Sequence, residues 1–211
     1  KNGEYKMWYR NGQLKTHCFY VDGKLVGEFK EWHDNRTLSI KTTYRNNRQE
    51  GEFKTWYTNG QLAAHGFYVN GQREGEYKSW RENGQCHITC CFEYGRQEGE
   101  YKEWHANGQL RMQCCDINGK QEGEYREWHK NGQIYMYCNY VNDKIEGECK
   151  VWQSNGQMEE HCNFINGKKE GVHKRWENGA LVELTNYSNG KRKGEFKTWS
   201  DGKLFTSGYR R

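Results

Sequence analysis

A six-residue motif, Gly-Glu-aromatic-Lys-x-Trp, returns along the whole chain and constrains its fold more than any other feature. The first seven intervals between the motif glycines are 24 residues long, and the last is 23. Periods of this length are typical of proteins that stack copies of one small unit. We therefore predict nine tandem repeats, which start near Gly3, Gly27, Gly51, Gly75, Gly99, Gly123, Gly147, Gly171 and Gly194.

Each repeat has the pattern of a β-hairpin. Two short runs containing aromatic and β-branched residues flank a central Asn-Gly pair, such as Asn83-Gly84, and this arrangement is typical of two strands joined by a tight turn. We predict an all-β fold, an elongated and twisted antiparallel meander of up to 18 strands that forms a single domain over residues 1–211. The lack of proline agrees with this prediction, because central strands need every backbone N–H for pairing.

All nine tryptophans occupy the same position of the repeat, and we interpret them as a structural ladder: Trp8, Trp32, Trp56, Trp80, Trp104, Trp128, Trp152, Trp176 and Trp199. The last two repeats are one residue shorter between Trp and the turn. A two-residue loop there pairs Trp176 with Leu181, whereas a three-residue loop in the longer repeats pairs Trp104 with Leu110. Both loops keep Trp opposite an apolar residue, so the predicted register is the same throughout.

Alternation along the strands then predicts which residues share a face. In the first repeat we place Leu14 and Cys18 on the face of Trp8, and we place Tyr5 and Phe19 on the opposite face. Both faces therefore carry aromatic residues, in contrast to a sheet with one dry and one wet side. Adjacent strands lie about 4.8 Å apart, so 18 strands predict a ribbon roughly 85 Å long.

The repeating unit, best seen in residues 70–85, resembles the MORN repeat. It is more closely similar to the variant form found in the YwqK antitoxin-like family and in MORN-repeat proteins of large DNA viruses of amoebae. The resemblance covers residues 3–209. It departs from the pattern at Arg36, which replaces a turn glycine, and at Val172, which replaces the motif glutamate.

This resemblance implies a hairpin array used for protein contact, self-association or scaffolding, and it implies no catalysis. We expect a non-enzymatic structural scaffold that uses no cofactor. A component of a viral particle is one form that this scaffold could take. An antitoxin-like neutralising module and a membrane-surface adaptor are the alternatives. Other proteins are the expected partners, and self-association would use the edge strands, since neither end of the sequence has a recognisable cap. Either the native chain is longer or its ends abut another subunit.

The cysteines are expected to be free thiols in an intracellular, reducing compartment, which would be the host cytoplasm or a virion for a viral protein. Five share one repeat position, and equivalent positions lie about 10 Å apart, too far for a disulfide. We predict that they are small core residues: Cys18, Cys90, Cys114, Cys138 and Cys162. Cys86, His87 and Cys90 have a metal-like spacing, but on a strand Cys86 and Cys90 are about 13 Å apart, so no metal site is predicted.

The fourth and fifth repeats depart most from the pattern, either through tolerated drift or because they form a local partner patch. The residues of that candidate patch are Cys86, His87, Glu93, Tyr94 and Asp116. Elsewhere acidic and basic residues alternate, and the net charge is only +5, so no nucleic-acid partner is expected. No apolar run is long enough for a transmembrane segment, although a membrane-surface contact stays open.

Overall fold

A computed structural model describes residues 1–210, and β-strands are the only regular secondary structure in that part of the chain. Consecutive strands pair antiparallel, which confirms the predicted all-β hairpin meander. The chain divides into two compact units that meet in sequence between Gly108 and Gln109. The single repeat domain over residues 1–211 stays a prediction.

The first unit contains ten strands, which are β1 Gly3–Trp8, β2 Leu14–Val21, β3 Lys24–Trp32, β4 Leu38–Arg45, β5 Arg48–Gln49, β6 Gly51–Trp56, β7 Leu62–Val69, β8 Gln72–Trp80, β9 Cys86–Glu93 and β10 Arg96–Trp104. The second unit contains the other eleven, which are β11 Leu110–Ile117, β12 Lys120–Gln121, β13 Gly123–Trp128, β14 Ile134–Val141, β15 Lys144–Ile145, β16 Gly147–Trp152, β17 Met158–Ile165, β18 Lys168–Glu177, β19 Ala180–Ser188, β20 Lys191–Ser200 and β21 Lys203–Arg210.

The total of 21 strands exceeds the predicted 18 because three strands are interrupted. β5 and β6 are separated only by Glu50, and together they take the place that uninterrupted β3 takes in the preceding repeat. A break of the same kind separates the two-residue strand β12 from β13, and another separates the two-residue strand β15 from β16. The number of hairpins per repeat is therefore unchanged.

The predicted Trp register is confirmed wherever the hairpin pairing is described. Trp8 lies opposite Leu14 in a longer repeat, and Trp176 lies opposite Leu181 in a shorter one. In the first repeat the Tyr9 amide donates to the Gln13 carbonyl at 2.8 Å, which closes a three-residue loop. The one-residue deletion is thus absorbed by the turn, as predicted from the two loop lengths.

The predicted faces need one correction. Tyr5 pairs directly with Cys18, and Tyr77 pairs directly with Cys90, so the aromatic residue of the motif shares the cysteine face. The prediction was wrong because the register shifts immediately before each Trp, as between Met7 and Trp8. A bulge of this kind breaks the simple alternation that connects Trp to the rest of its strand.

The motif glycine occupies a second bulge, which lies where the last strand of one hairpin pairs with the first strand of the next, as between β2 and β3. His17 and Phe19 are two residues apart on β2, but they pair with Lys30 and Val26, which are four apart on β3. Gly27 lies within this bulge with a φ of +71°, and a Cβ on it would have no heavy atom within 4 Å. Glycine is therefore required here for backbone conformation and not for space.

The core lies on one face of the sheet, which we name the thiol face because it carries the buried cysteines. The five cysteines of the shared slot are at most 7% exposed, which confirms that they are core residues. Aromatic rings cover them within the single layer, as where Tyr5 and Tyr20 meet edge to face at 6.0 Å beside Cys18. Such ring pairs add to the energy of burial.

The second unit has the most concentrated part of this core. Cys138, Cys149 and Cys162 form one buried cluster. The side chains packed against it are Tyr125, Met136, Tyr140, Ile145 and Phe164.

Candidate interaction face

The face opposite the thiol face carries the motif glutamates and their ion pairs, and we name it the charged face. In the first repeat Lys6 Nζ lies 2.8 Å and His17 Nε2 lies 2.7 Å from the Glu4 carboxylate. Both contacts lower the pKa of Glu4, and the hydrogen bond from Lys6 has the larger effect. Phe19 follows His17 on the same face, and the two rings meet edge to face at 5.1 Å.

This ionic arrangement returns along the chain. In the first seven repeats the motif glutamate holds the cation two residues later at 2.6–2.9 Å. His65 approaches Glu52 at 3.1 Å and His161 approaches Glu148 at 2.9 Å, as His17 does in the first repeat. The histidines that share this slot are thus cross-strand partners of the motif glutamate.

Exposed apolar side chains lie beside these ion pairs on the charged face. In the first unit they form two pairs, which we together name the apolar stripe: Phe19 with Val21, and Phe67 with Val69. The repeat between the two pairs has exposed Thr43 and Arg45 in these slots. The two phenylalanines are 39% and 42% exposed and lie two repeats apart, about 19 Å across four strand spacings. In the second unit the slot of Val21 is filled by exposed Ile117, Val141 and Ile165. Grouped apolar side chains within a polar surface are typical of protein interfaces.

The turns between the two strands of each hairpin are joined from repeat to repeat by side-chain hydrogen bonds. The Tyr9 hydroxyl donates to the Trp32 carbonyl at 2.8 Å, and the Tyr57 hydroxyl donates in the same way to Trp80. His129 Nε2 lies 2.8 Å from the Trp152 carbonyl. Tyr9, Tyr57 and His129 each directly follow the tryptophan of their own repeat, so the residue at this position joins its turn to the turn of the next repeat. The sequence pattern does not reveal this role.

The opposite edge of the hairpins has its own set of hydrogen bonds. The Glu50 carboxylate accepts from the Asn70 amide at 2.9 Å, and Glu74 accepts from the Tyr94 amide at the same distance. These glutamates directly precede the motif glycine. In the Glu-Gly-Glu triplets at residues 50–52, 74–76, 122–124 and 146–148, the first glutamate thus binds the following turn, and the second one forms the ion pairs of the charged face.

The family comparison agrees with this geometry. The MORN repeat variant matches residues 1–22, 49–70, 97–115, 121–142 and 145–166, which is just over half of the chain. The chain belongs to the MORN repeat variant family. MORN repeats commonly mediate interactions with proteins or membranes.

Two further comparisons add little to the family assignment. No curated protein matches the chain. A solved structure described as "Crystal Structure of TcdB2-TccC3-Cdc42" is 8% identical with a TM-score of 0.25, and the likeness covers 92% of this chain and 14% of that one. A TM-score this low supports no conclusion about fold or function.

The tryptophans that we predicted as a ladder end the first strand of the hairpin in the first seven repeats, and in the last two repeats the strand continues one residue beyond them. They are half-buried, except that Trp8 is 55% exposed. Trp32 lines a shallow groove of about 370 Å³ together with Leu14 and Arg36. The backbone carbonyls of Trp32, Trp80 and Trp152 accept the turn hydrogen bonds described above, so the tryptophan position joins each of these repeats to the one before it.

The residues of the candidate partner patch lie on β9, in the turn that follows it and on β11. Cys86 and His87 begin β9, whereas Glu93 ends it and Tyr94 lies in the next turn. Six residue steps along a strand separate the two pairs by about 20 Å. Asp116 belongs to the second unit, on β11. Along β9 and the turn after it, the predicted residues thus form two local pairs and not one patch.

The local surroundings of these residues are structural. Cys86 takes the place of the apolar residue opposite Trp80. His87 Nε2 lies 3.6 Å from the Glu103 carboxylate. Within residues 1–210, no group of three or more His, Cys, Asp or Glu side chains is arranged to hold a metal ion. A helix able to cross a membrane is also not found in that part of the chain.

Proposed function

We propose that this MORN-repeat chain is a non-enzymatic scaffold that binds other proteins through its charged face. The observation that carries the proposal is the apolar stripe, which stays exposed beside regularly spaced ion pairs. Phe19 and Phe67 supply apolar contact area, and the surrounding charges supply a polar rim. Because the two phenylalanines are two repeats apart, the surface suits a partner that is extended across several strands.

The ion pairs favour a protein partner over a membrane or a nucleic acid. Anionic lipids and phosphates are attracted by cations that lack a protein counter-ion. On the charged face Lys6, Lys54 and Lys150 each already contact a glutamate within 2.8 Å. A partner that offers apolar side chains gains more here than one that offers only negative charge.

Several finer features belong to the same proposal. We favour a role in assembly, and a viral particle is one setting for it. Self-association through the edge strands is one way in which such an assembly would form. An antitoxin-like neutralising module and a membrane-surface adaptor are the competing versions. An intracellular, reducing compartment is supported by the nine cysteines, all of which are free thiols.

The proposal is tested by capturing partners with the wild-type protein and then with the double variant Phe19→Ser, Phe67→Ser. For each protein that the wild type captures, we expect the enrichment to be at least tenfold lower with the double variant. Phe205→Ser is the matched control, because Phe205 is 77% exposed but lies outside the apolar stripe, on β21. Equal capture by all three proteins would contradict the proposed face.

A flotation experiment distinguishes the membrane version. The wild-type protein is mixed with vesicles containing anionic lipid and with neutral vesicles, and it is then centrifuged through a density gradient. We expect the protein to stay at the bottom in both cases. Flotation with the anionic vesicles, abolished by high salt, would support the membrane-surface adaptor instead.

A further inference from the structure

Cys149 occupies a position that is aromatic in most other repeats. It is the third residue of the motif, the slot of Tyr5, Tyr77 and Tyr125. Each of those tyrosines pairs with a cysteine of the shared slot, as Tyr125 does with Cys138. In the seventh repeat the pair is instead Cys149 opposite Cys162.

This pairing places two thiols at the separation that a disulfide requires. Directly opposite residues of antiparallel strands have Cα atoms about 4.5–5.5 Å apart. The Cα separation in disulfides is usually about 4.4–6.8 Å. Cys149 and Cys162 are also in one buried cluster, 4% and 3% exposed, so their side chains lie on the same face. The 10 Å separation that excludes disulfides within the shared slot does not apply to this pair.

We propose that Cys149 and Cys162 form a redox-sensitive pair that a low-molecular-weight disulfide oxidises to a cross-strand disulfide. One thiolate attacks a sulfur of the small disulfide, giving a mixed disulfide and releasing one small thiol. The second thiolate then attacks the protein sulfur of the mixed disulfide and releases the second small thiol. The protein loses two electrons and two protons, and the small disulfide is reduced to two thiols.

The surroundings of the pair determine its rate and its consequence. Hydrogen bonding with Cys138 raises the pKa of Cys149 to about 12, and hydrogen bonding with Cys149 together with burial raises the pKa of Cys162. Both thiols are therefore protonated at neutral pH, so oxidation is slow and becomes faster as pH rises. Once formed, the disulfide ties β16 to β17 and holds that hairpin closed.

The test is peptide mapping after incubation of the wild-type protein with glutathione and glutathione disulfide in increasing ratio. Trypsin places the three clustered cysteines on different peptides, residues 131–144, 145–150 and 151–168. We expect a cross-link between peptides 145–150 and 151–168, which is lost on treatment with dithiothreitol. We also expect the oxidised protein to melt higher by about 5 °C, because the cross-link restricts the unfolded chain.

Two variants control the geometry. Cys149→Tyr restores the aromatic residue of the other repeats and should abolish the cross-link. Tyr77→Cys creates the same opposite pair with Cys90 and should gain a cross-link under the same conditions. A wild-type protein that keeps both thiols at the most oxidising ratio overturns the proposal. A cross-link of Cys138 to either partner in place of the Cys149–Cys162 link also overturns it.

Discussion

Gly75 shows how a single residue maintains the repeat. Its φ is +72°, and a Cβ there would meet nothing within 4 Å. The position lies at the bulge that offsets consecutive strands, so its backbone conformation and not its packing decides which residue fits. The same conformation in Gly27 explains why the motif begins with glycine.

We predict that Gly75→Ala lowers the free energy of unfolding by about 1–2 kcal/mol, because alanine is strained at positive φ. Gly75→Asn should lose less, since asparagine adopts the left-handed region more readily. Urea unfolding followed by tryptophan fluorescence measures both. If alanine and asparagine are equally tolerated without loss, the conformational explanation is wrong.

His173 is a buried histidine in the third position of the motif, the slot that Tyr5 fills in the first repeat. It pairs with Thr185, its ring meets Tyr187 edge to face, and Nε2 lies 3.5 Å from a Glu160 oxygen, too far for a good hydrogen bond. Burial and then Lys169 lower its pKa below 6.5, against the opposing effects of Glu160 and Glu183. The native state therefore favours the neutral ring.

We predict that the wild-type protein loses stability as the pH falls below 6.5. The unfolded chain then binds a proton that native His173 resists, so this contribution is complete above the unfolded pKa and declines below it. His173→Phe should reduce the dependence, since Phe29 occupies the same slot opposite Thr42. Urea midpoints between pH 7.5 and 5.5 give the comparison. Parallel curves for both proteins would exclude His173 as the cause.

At the scale of the hairpin, both edges are joined to the next repeat by hydrogen bonds. The Tyr57 hydroxyl binds the Trp80 carbonyl on one edge, and the Glu74 carboxylate binds the Tyr94 amide on the other. These contacts satisfy backbone groups at the turns, where the strand ladder ends. Stacking of turns thus stabilises the array in addition to the pairing of strands.

Removal of one such bond should have a measurable cost. We predict that Tyr57→Phe lowers the free energy of unfolding by about 0.5–1.5 kcal/mol, the usual contribution of one hydrogen bond. Tyr94→Phe is the control, because the Tyr94 side chain is 73% exposed and its backbone makes the turn contact. Thermal melting of the two variants compares them directly. A loss as large in Tyr94→Phe as in Tyr57→Phe would contradict the stacking account.

At the scale of the molecule, much of the architecture is visible in the repeat itself. The period and the two loop lengths predicted the pairing of Trp8 with Leu14, and the shared slot predicted that Cys18 is core. The face of Tyr5 was not predictable, because the bulge before Trp8 has no residue signature and reverses the alternation. The approach of Cys149 to Cys162 also depends on cross-strand register, which the spacing of equivalent positions does not reveal.

The candidate site was predicted less well for a related reason. His87 and Tyr94 stand out in the sequence because they break the pattern, and yet the structure separates them along β9. Phe19 and Phe67 follow the repeat pattern, and alternation correctly places Phe19 on the face opposite Cys18. Their significance comes from their exposure on the charged face, which the repeat pattern alone does not give.

The assignment of faces is the central claim, because both the protein-binding surface and the thiol pair depend on it. Cys90 and Cys91 are neighbours in sequence, but Cys90 is 5% exposed and Cys91 is exposed. Time-resolved alkylation of the native, reduced protein, quantified for each cysteine by mass spectrometry, measures the difference. We predict that Cys91 is labelled at least tenfold faster than Cys90 and that the two become equal in denaturant. Equal rates in the native protein, or faster labelling of Cys90, would contradict the account.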